Sequence, residues 1–434
     1  MNKILYFSIF IILISGCSFN KNSKFWSNSE KIKNDDNIKY EEVFQEKEAL
    51  KKEFNSTLKI KLTSKTFNKT TINNFLNNNH RLNFDGNLKK SSRFKFSKID
   101  DFNQYQPEIS FFKDNVIFFD NKGSILQFNP RSKLIWKKNY YSKSEKKLSP
   151  ILQLVNNGKY LIVADNIAKY YKLDLKTGDL IWSKNNLAPF NSQIKIYKDK
   201  FFIIDFSNTL RCFSLSNGEE LWNIKTENSL IRSQKKLSMV IVDQNLYFNN
   251  SIGDISAVSI DKGELLWQLP TQSSLIYESS FSLEASDIVT DTKNIFFSNN
   301  RNEIFSIDVK TGSFNWKNKV NSNLRATLVG DLLITVSLKG YLVIINKNSG
   351  EIIRITDIFK NFKIKKRENI KPTGFIVGSK NIYLSTSNGR LLVIDNFTGK
   401  TNSVLKIDNA KISRPFILNQ NLYVVKDNGI IKLD

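Results

Sequence analysis

A repeat built around tryptophan constrains this chain more than any other feature. Five of the six tryptophans stand 40 to 49 residues apart, at Trp136, Trp182, Trp222, Trp267 and Trp316. A glycine stands four residues before each of the last four, and the same slot recurs without tryptophan at Gly350 and Gly399. In the first copy Ser132 takes the place of the glycine. Repeats of this length are typical of β-propellers, in which each repeat forms one four-stranded blade.

Each glycine follows a short apolar strand and a polar turn. Residues 171–178 read Tyr-Lys-Leu-Asp-Leu-Lys-Thr-Gly, and residues 305–312 read Phe-Ser-Ile-Asp-Val-Lys-Thr-Gly. Asp and Thr side chains can bond to nearby backbone amides, and Gly supplies the positive φ that closes a hairpin. A second hairpin upstream in each unit has its own turn residues, such as Asn388-Gly389. The pattern therefore predicts about four strands per unit and a structural role for the acidic turn residues.

The two ends of the repeat region complement each other. Eight upstream hairpins can be counted, but the last unit ends at Ile430–Asp434 without an outer strand. The segment Arg93–Ile99, ahead of the first unit, alternates in polarity as a single strand does. Pairing this strand with the last blade would close the ring and remove an exposed sheet edge. The predicted fold is an all-β, eight-bladed β-propeller over residues 91–434.

The first residues predict export and a lipid anchor. Met1-Asn2-Lys3 is a short basic start, an apolar run from Ile4 to Ile14 follows, and Ser15-Gly16-Cys17 comes next. The run is shorter than the roughly 20 residues of a spanning helix, and small residues ahead of a cysteine resemble the bacterial lipobox. We expect residues 1–16 to be a lipoprotein signal peptide and Cys17 to be the acylated first residue of the mature protein. Ser18 fits transfer to the outer membrane, by resemblance only.

Residues 17–90 differ from the repeats because they are rich in Asn, Lys, Ser and Glu. This composition predicts a tether or extension. A short amphipathic helix is expected at residues 38–54, where helical spacing is seen at Tyr40, Val43, Phe44, Leu50 and Phe54. Its apolar stripe is expected to dock on the folded body.

Nucleic acid is not expected as a partner despite a formal net charge of +24. Export would separate the protein from the genome, and the lysines are scattered through loops and turns. A compositional bias toward Asn, Lys, Ile and Phe accounts for most of the charge. Attraction to anionic lipid head groups or to acidic partner surfaces stays open.

The sequence offers no catalytic constellation. His80 is the only histidine and stands among asparagines, so a Ser-His-Asp triad or a histidine-rich metal site is not expected. Cys212 is the only cysteine besides Cys17, so no intramolecular disulfide is expected once Cys17 is the anchor. Cys212 lies in an alternating apolar stretch and is interpreted as a small buried hydrophobe. We predict no catalytic residue, no cofactor and no metal.

The repeat of apolar strand, Asp, Thr-Gly and Trp resembles that of pyrroloquinoline-quinone-type (PQQ-like) propellers. One branch of that superfamily contains quinoprotein dehydrogenases, and another contains the non-enzymatic scaffold lipoproteins of the BamB family. The chain resembles the BamB family over roughly residues 91–434, with lipobox, blade number and closing C-terminal hairpin in the same order. The resemblance implies an outer-membrane lipoprotein that faces the periplasm and acts as a monomer within a barrel-assembly complex.

The resemblance also implies contacts with a BamA-like barrel-assembly protein. In the family, a segment of the form Leu-x-Leu-Arg contacts a periplasmic domain of BamA. Here Leu230-Ile231-Arg232 stands at the corresponding place, with Ser229 where the first Leu would be. A pair of acidic residues before the following blade forms the family's second contact. Glu284 and Asp287 are the candidates here, in a different spacing.

Two other functions stay open. A glycan-binding or cell-wall-binding propeller is one, since propeller faces bind many ligands and no loop signature excludes it. A quinone-dependent dehydrogenase is the other. That family uses a disulfide between adjacent cysteines over its cofactor, which Cys17 and Cys212 are too far apart in sequence to form.

Replacing the predicted lipidation site tests the anchor. Cys17→Ala is expected to release the chain from the membrane fraction as an unlipidated, unprocessed form, because the acyl acceptor is gone. Membrane fractionation and labelling with a clickable palmitate analogue measure both properties. Cys212→Ala serves as the control and is expected to remain acylated. A Cys17→Ala variant that still incorporated the label would contradict the assignment.

Overall fold

The computed structural model describes residues 52–434 except 64, 69–74, 101, 103–106, 228–234 and 272–282. The predicted signal peptide, Cys17 and nearly all of the predicted helix at 38–54 lie outside the described residues. At the described end of that segment, Phe54 forms an antiparallel bridge with Ile355. Within the described residues, no helix has the length and apolar character needed to cross a membrane.

Within the described part of the chain, the strands form eight antiparallel four-stranded sheets, as the repeat predicted. Blades 1 to 4 follow one another in sequence order. Their strands are β2 (Ser110–Phe112), β3 (Asn115–Phe119), β4 (Ile125–Phe128) and β5 (Leu134–Lys138); β6 (Leu152–Asn156), β7 (Tyr160–Asp165), β8 (Lys169–Asp174) and β9 (Leu180–Asn185); β10 (Lys195–Tyr197), β11 (Lys200–Ile204), β12 (Thr209–Ser214) and β13 (Glu220–Lys225); β14 (Met239–Val242), β15 (Asn245–Asn249), β16 (Ile255–Ser259) and β17 (Leu265–Leu269). A one-turn helix, α1 (Lys143–Lys146), links blades 1 and 2.

Blades 5 to 8 continue the same pattern, and α2 (Ile364–Arg367) precedes blade 7. Their strands are β18 (Val289–Thr290), β19 (Asn294–Asn299), β20 (Glu303–Asp308) and β21 (Phe314–Asn318); β22 (Thr327–Val329), β23 (Leu332–Val336), β24 (Tyr341–Asn346) and β25 (Ile352–Asp357); β26 (Pro372–Val377), β27 (Asn381–Thr386), β28 (Arg390–Asp395) and β29 (Thr401–Lys406); β30 (Phe416–Leu418), β31 (Asn421–Lys426), β32 (Gly429–Leu433) and β1 (Lys90–Lys95).

Burial differs between the strands of a blade. The middle strands are almost wholly buried, as in β11, because both of their faces pack against neighbouring blades. The outer strands alternate between exposed and half-buried residues, as in β9 and β13. The core therefore consists of apolar layers between successive blades.

The N-terminal strand closes the ring, which confirms the closure expected from the sequence. β1 pairs antiparallel with β32, and Arg93 lies opposite Ile431. The strand starts three residues earlier than the predicted Arg93–Ile99. Beyond Lys95, contact with the last hairpin continues through backbone bonds from Phe96 to Asn428 and from Ile99 to Asp427.

Each repeat tryptophan lies on the glycine turn of the following blade. Trp267 illustrates the contact: a Cβ added at Gly312 would lie 2.6 Å from its ring, and Gly312 has a φ of +71°. The Trp267 indole Nε1 donates to the Val309 carbonyl at 3.1 Å. Glycine is therefore required at this position for two reasons: the turn needs a positive φ, and the indole ring leaves no room for a side chain. In the next-to-last copy Arg354 replaces tryptophan and donates to the Phe397 carbonyl at 2.7 Å.

A substitution in the closing strand tests ring closure. Phe94 is fully buried between blades, with its ring centroid 5.7 Å from that of Phe128 and 6.1 Å from that of Tyr423. Phe94→Ala is expected to lower the free energy of unfolding by about 3 to 5 kcal/mol through cavity formation. Urea unfolding followed by tryptophan fluorescence measures it.

Lys95 is the matched control because it is exposed in the same strand. Lys95→Ala is expected to change the free energy of unfolding by less than about 0.5 kcal/mol. Equal effects of the two substitutions, or no effect of Phe94→Ala, would contradict a structural role for the closing strand.

Candidate binding site at the channel mouth

Charged residues from different blades meet at one end of the central axis. The first strand of each blade lies innermost, and neighbouring first strands touch: Asn156 Nδ2 donates to Ser110 Oγ at 2.7 Å. Five of the charged residues stand one to three positions before a first strand, and Lys195 begins one. We call this group the channel-mouth cluster, which consists of Glu108, Lys195, Lys236, Asp287, Arg325 and Arg414.

Glu108 is the centre of the channel-mouth cluster. Its Oε1 accepts from Arg325 Nη2 at 3.0 Å and from Arg414 Nη2 at 2.5 Å, and its Oε2 lies 3.8 Å from Lys236 Nζ. Arg325 also donates through Nε to Asp287 Oδ2 at 2.7 Å. Blades 1, 4, 5, 6 and 8 are thus joined by ion pairs near the axis.

Burial strengthens the electrostatic interactions within the channel-mouth cluster. The Arg325 and Arg414 side chains are only 8% and 9% exposed, and Glu108 is 14% exposed. Burial opposes ionisation of Glu108, but Lys236, Arg414 and Arg325 outweigh it and hold the pKa of the carboxyl far below its usual range. Burial, together with repulsion from Arg325, lowers the pKa of Lys195 to about 7. The channel-mouth cluster thus contains four basic side chains and two carboxylates.

The N-terminal extension also reaches the axis, where Asn77 bonds to Lys195 of the channel-mouth cluster. Residues 75–84, the axial strap, bond to inner strands of blades 4 to 7. The Ile241 amide donates to the Phe75 carbonyl at 2.9 Å, and the Leu82 amide donates to the Val377 carbonyl at 2.7 Å. The strap lies within the segment 17–90 that composition predicted to be a tether.

Asn77 anchors the axial strap. Its Nδ2 lies within 3.1 Å of Gln193 Oε1, Ser238 Oγ and two backbone carbonyls, and its Oδ1 accepts from Lys195 Nζ at 2.6 Å. Asn77 is almost fully buried and has a φ of +55°. Sequence reasoning missed this residue because it stands in an asparagine-rich stretch. The only signal was the apolar flank of Leu76, Leu82 and Phe84.

Of the five predicted partner-binding residues, the structure describes two, Glu284 and Asp287. Leu230, Ile231 and Arg232 lie outside the described residues. Glu284 is exposed and accepts a bond from Asn323 Nδ2. Asp287 belongs to the channel-mouth cluster, where it pairs with Arg325.

Asn323 also joins Lys235 to Glu284. The Asn323 carbonyl accepts from Lys235 Nζ at 2.5 Å, and its side chain donates to Glu284. In sequence, Lys235 directly follows residues 228–234, and Glu284 closely follows residues 272–282. Lys235 and Glu284 therefore lie close together, on either side of Asn323.

The residues considered for chemistry have packing roles. Cys212 is fully buried, as predicted, and burial raises the pKa of its thiol to about 12. His80 stacks on Phe67 with ring centroids 4.8 Å apart. Across the described part of the chain, His, Cys, Asp and Glu form no group that could hold a metal ion.

One protein-family model matches the repeat region of the chain. The family model described as outer membrane protein assembly factor BamB matches residues 121–356. The BamB of Shewanella oneidensis is 24% identical over 148 residues, which are 34% of this chain and 34% of that protein. The aligned region thus spans about a third of the length of this curated relative.

Solved structures share the fold. The BamB crystal structure from Moraxella catarrhalis superposes with a TM-score of 0.64 at 16% identity and covers 80% of this chain and 99% of that one. The quinohemoprotein alcohol dehydrogenase of Comamonas testosteroni gives a TM-score of 0.64 at 9% identity, over 85% of this chain and 81% of that one. At these sequence identities the structural similarity shows the propeller fold and does not distinguish a scaffold protein from an enzyme.

Neutralising Glu108 tests the channel-mouth cluster. Glu108→Gln is expected to lower the free energy of unfolding at pH 7 by about 3 to 5 kcal/mol, because buried cations lose their shared anion. The folded pKa of Glu108 is lowered, so its stabilisation is present above the ordinary carboxyl pKa and is lost as pH falls below it. The wild type should therefore lose more stability than Glu108→Gln between pH 6 and pH 3.

Urea unfolding over that pH range provides the measurement. Glu284→Gln is the control, since Glu284 is exposed. It is expected to change the free energy of unfolding by less than about 0.5 kcal/mol. A Glu108→Gln variant with wild-type stability and wild-type pH dependence would show that the ion pairs contribute nothing.

Proposed function

The chain belongs to the family of the outer membrane protein assembly factor BamB, and from that membership we propose that it is a non-enzymatic scaffold lipoprotein of the machinery that assembles outer-membrane β-barrels. Its partner would be a BamA-like protein. The lipid on Cys17 would hold it at the outer membrane, facing the periplasm. The observation that carries the proposal is the family match over residues 121–356 together with a complete eight-bladed ring.

The proposed contact surface includes the region around Asn323, where Lys235 and Glu284 meet. Leu230, Ile231 and Arg232 stand three to five residues before Lys235 in sequence. An apolar residue beside an arginine suits a groove in which the apolar side chain is buried and the guanidinium makes a charge-assisted hydrogen bond. Glu284 adds an exposed carboxylate nearby.

We assign Asp287 a different part in the same surface. Its carboxylate is bonded to Arg325, so it holds the start of blade 5 against blade 6. A partner cation could approach Asp287 only in competition with Arg325. Glu284 is therefore the better candidate for direct contact.

The axial features favour a scaffold over a quinone-dependent enzyme. Ion-paired side chains meet near the axis, and the axial strap bonds to the inner strands beside them through Asn77. Cys212, buried in a strand, has no second cysteine beside it in the described chain.

Charge reversal at Arg232 tests the proposed contact. Arg232→Glu is expected to reduce co-purification with a BamA-like partner by about tenfold or more, because repulsion replaces a charge-assisted bond. The free energy of unfolding should change by less than about 0.5 kcal/mol if the residue is exposed. Quantitative pull-down from solubilised membranes and urea unfolding measure the two effects.

Arg131→Glu is the matched control because Arg131 is exposed in a turn of blade 1. It should leave co-purification unchanged. If Arg232→Glu had no effect while Glu284→Lys abolished co-purification, the contact would be at Glu284 and not at Arg232. If neither variant mattered and the protein bound isolated peptidoglycan instead, the cell-wall-binding alternative would replace the scaffold.

A further inference from the structure

The N-terminal extension adds a short strand to the outer edge of blade 6. The Phe54 amide donates to the Ile355 carbonyl at 3.1 Å, and the Ile355 amide donates to the Phe54 carbonyl at 2.9 Å. Beside this pair, the Asp357 amide donates to Glu53 Oε1 at 3.1 Å. We call residues 53–60 the rim segment, which thus pairs antiparallel with the free edge of β25.

The rim segment covers a kind of strand that is exposed in other blades. Ile352 and Ile353, at the start of β25, are half-buried. Leu265 and Leu266, at the start of the outer strand β17 in blade 4, are each 48% exposed. Since blade 4 leaves its outer strand uncovered, a four-stranded blade is complete without a fifth strand. The rim segment is therefore an addition to blade 6 and not part of the repeat.

Arg354 connects the rim segment to the ring. Its Nη1 donates to the Leu58 carbonyl at 2.8 Å and to the Phe397 carbonyl at 2.7 Å. The side chain is fully buried, yet its Nε and Nη2 have no hydrogen-bond partner among the described residues. Buried donors without acceptors are costly, and removal of the rim segment would open the guanidinium to water. This cost opposes the docked position of the rim segment.

Backbone bonds hold the rim segment more than side chains do. Phe54 is 47% exposed and Leu58 is 43% exposed, although both lie on the ring. Ile60 is the buried apolar side chain of the segment, and its amide donates to the Phe397 carbonyl at 2.9 Å. Backbone pairing at a sheet edge can be made by any extended chain, so these contacts do not restrict the edge to the protein's own sequence.

We propose that the outer edge of blade 6 is a binding site for an extended peptide strand, which the rim segment occupies as an intramolecular ligand and which a strand of a partner polypeptide can occupy in its place. The incoming strand pairs antiparallel with β25 at Ile355, and one of its carbonyls accepts from Arg354. The site goes beyond the proposed scaffold function and uses neither Arg232 nor Glu284.

A peptide added in solution tests the proposal. The probe is a fluorescein-labelled peptide with the sequence of residues 52–62, Lys-Glu-Phe-Asn-Ser-Thr-Leu-Lys-Ile-Lys-Leu. It is titrated with the full chain carrying Phe54→Pro, because proline has no amide to donate to Ile355 and the rim segment should leave the edge. Fluorescence anisotropy is expected to show binding about tenfold or more tighter than to the wild type, in which the rim segment competes for the same edge.

Two controls separate strand pairing from other contacts. Phe54→Ala keeps the backbone amide, so this variant is expected to bind the peptide as weakly as the wild type does. A second peptide, with proline in place of its phenylalanine, lacks the pairing amide and should bind the Phe54→Pro chain about tenfold or more weakly than the first. Thermal unfolding checks that each variant is folded.

Hydrogen exchange locates the bound peptide. Exchange at residues 352–357 is expected to be faster in Phe54→Pro than in the wild type, and to slow again when the peptide is added. β17 is the internal control, and its exchange should not change.

Three results would overturn the proposal. The first is a folded Phe54→Pro chain that binds the peptide no more tightly than the wild type, and the second is equal binding of the two peptides. The third is protection by the peptide away from β25. All three are measured without a barrel-assembly partner, so the strand site and the scaffold function can fail separately.

Discussion

The pairing of β1 with β32 is the interaction on which the rest of the structure depends. A propeller closes on itself, so each blade is held only by its neighbours and the last must meet the first. Here that junction is a set of backbone hydrogen bonds between the two ends of the repeat region, with Phe94 packed across it. The channel-mouth cluster draws its residues from six blades, so its distances are set by the closed ring.

The N-terminal extension reinforces the ring from the axis as well as from the rim. Before it becomes the closing strand, the chain bonds to the edge of blade 6 at Phe54 and then to the inner strands of blades 4 to 7 through the axial strap. One continuous segment therefore contacts blades that do not touch each other. Asn77 links this segment to Gln193 and Lys195 of blade 3.

The blades could be predicted from sequence, whereas the axial site could not. The Trp-Gly repeat is visible because one local contact, such as Trp267 on Gly312, recurs in successive blades at a fixed distance from a turn. The channel-mouth cluster has no such period. Glu108 and Arg414 are 306 residues apart in sequence, and the residue type near the start of the inner strand changes from blade to blade without a repeat. Only the closed ring brings these residues together.

The extension shows a second limit of composition. Its asparagines and lysines predicted a tether, because polar residues bury little apolar surface. Asn77 and Asn78 are nevertheless buried, since their amides replace the backbone partners that inner strands lack at the axis. Asparagine also adopts positive φ more readily than most residues, which suits the turn at Asn77. Composition describes the average segment and misses individual amides that are bonded on all sides.

The same distinction applies to the charge of the chain. A bias toward lysine accounts for exposed residues such as Lys262, because a solvated lysine at the surface costs little. It does not account for Lys195, Arg325 and Arg414, because burying a cation costs several kcal/mol, on the order of 3 or more, unless it is paired. Two of these are arginines in a chain rich in lysine, and both bind Glu108. The formal charge of +24 is therefore a poor guide to ligands, because it counts exposed lysines and buried, ion-paired arginines alike.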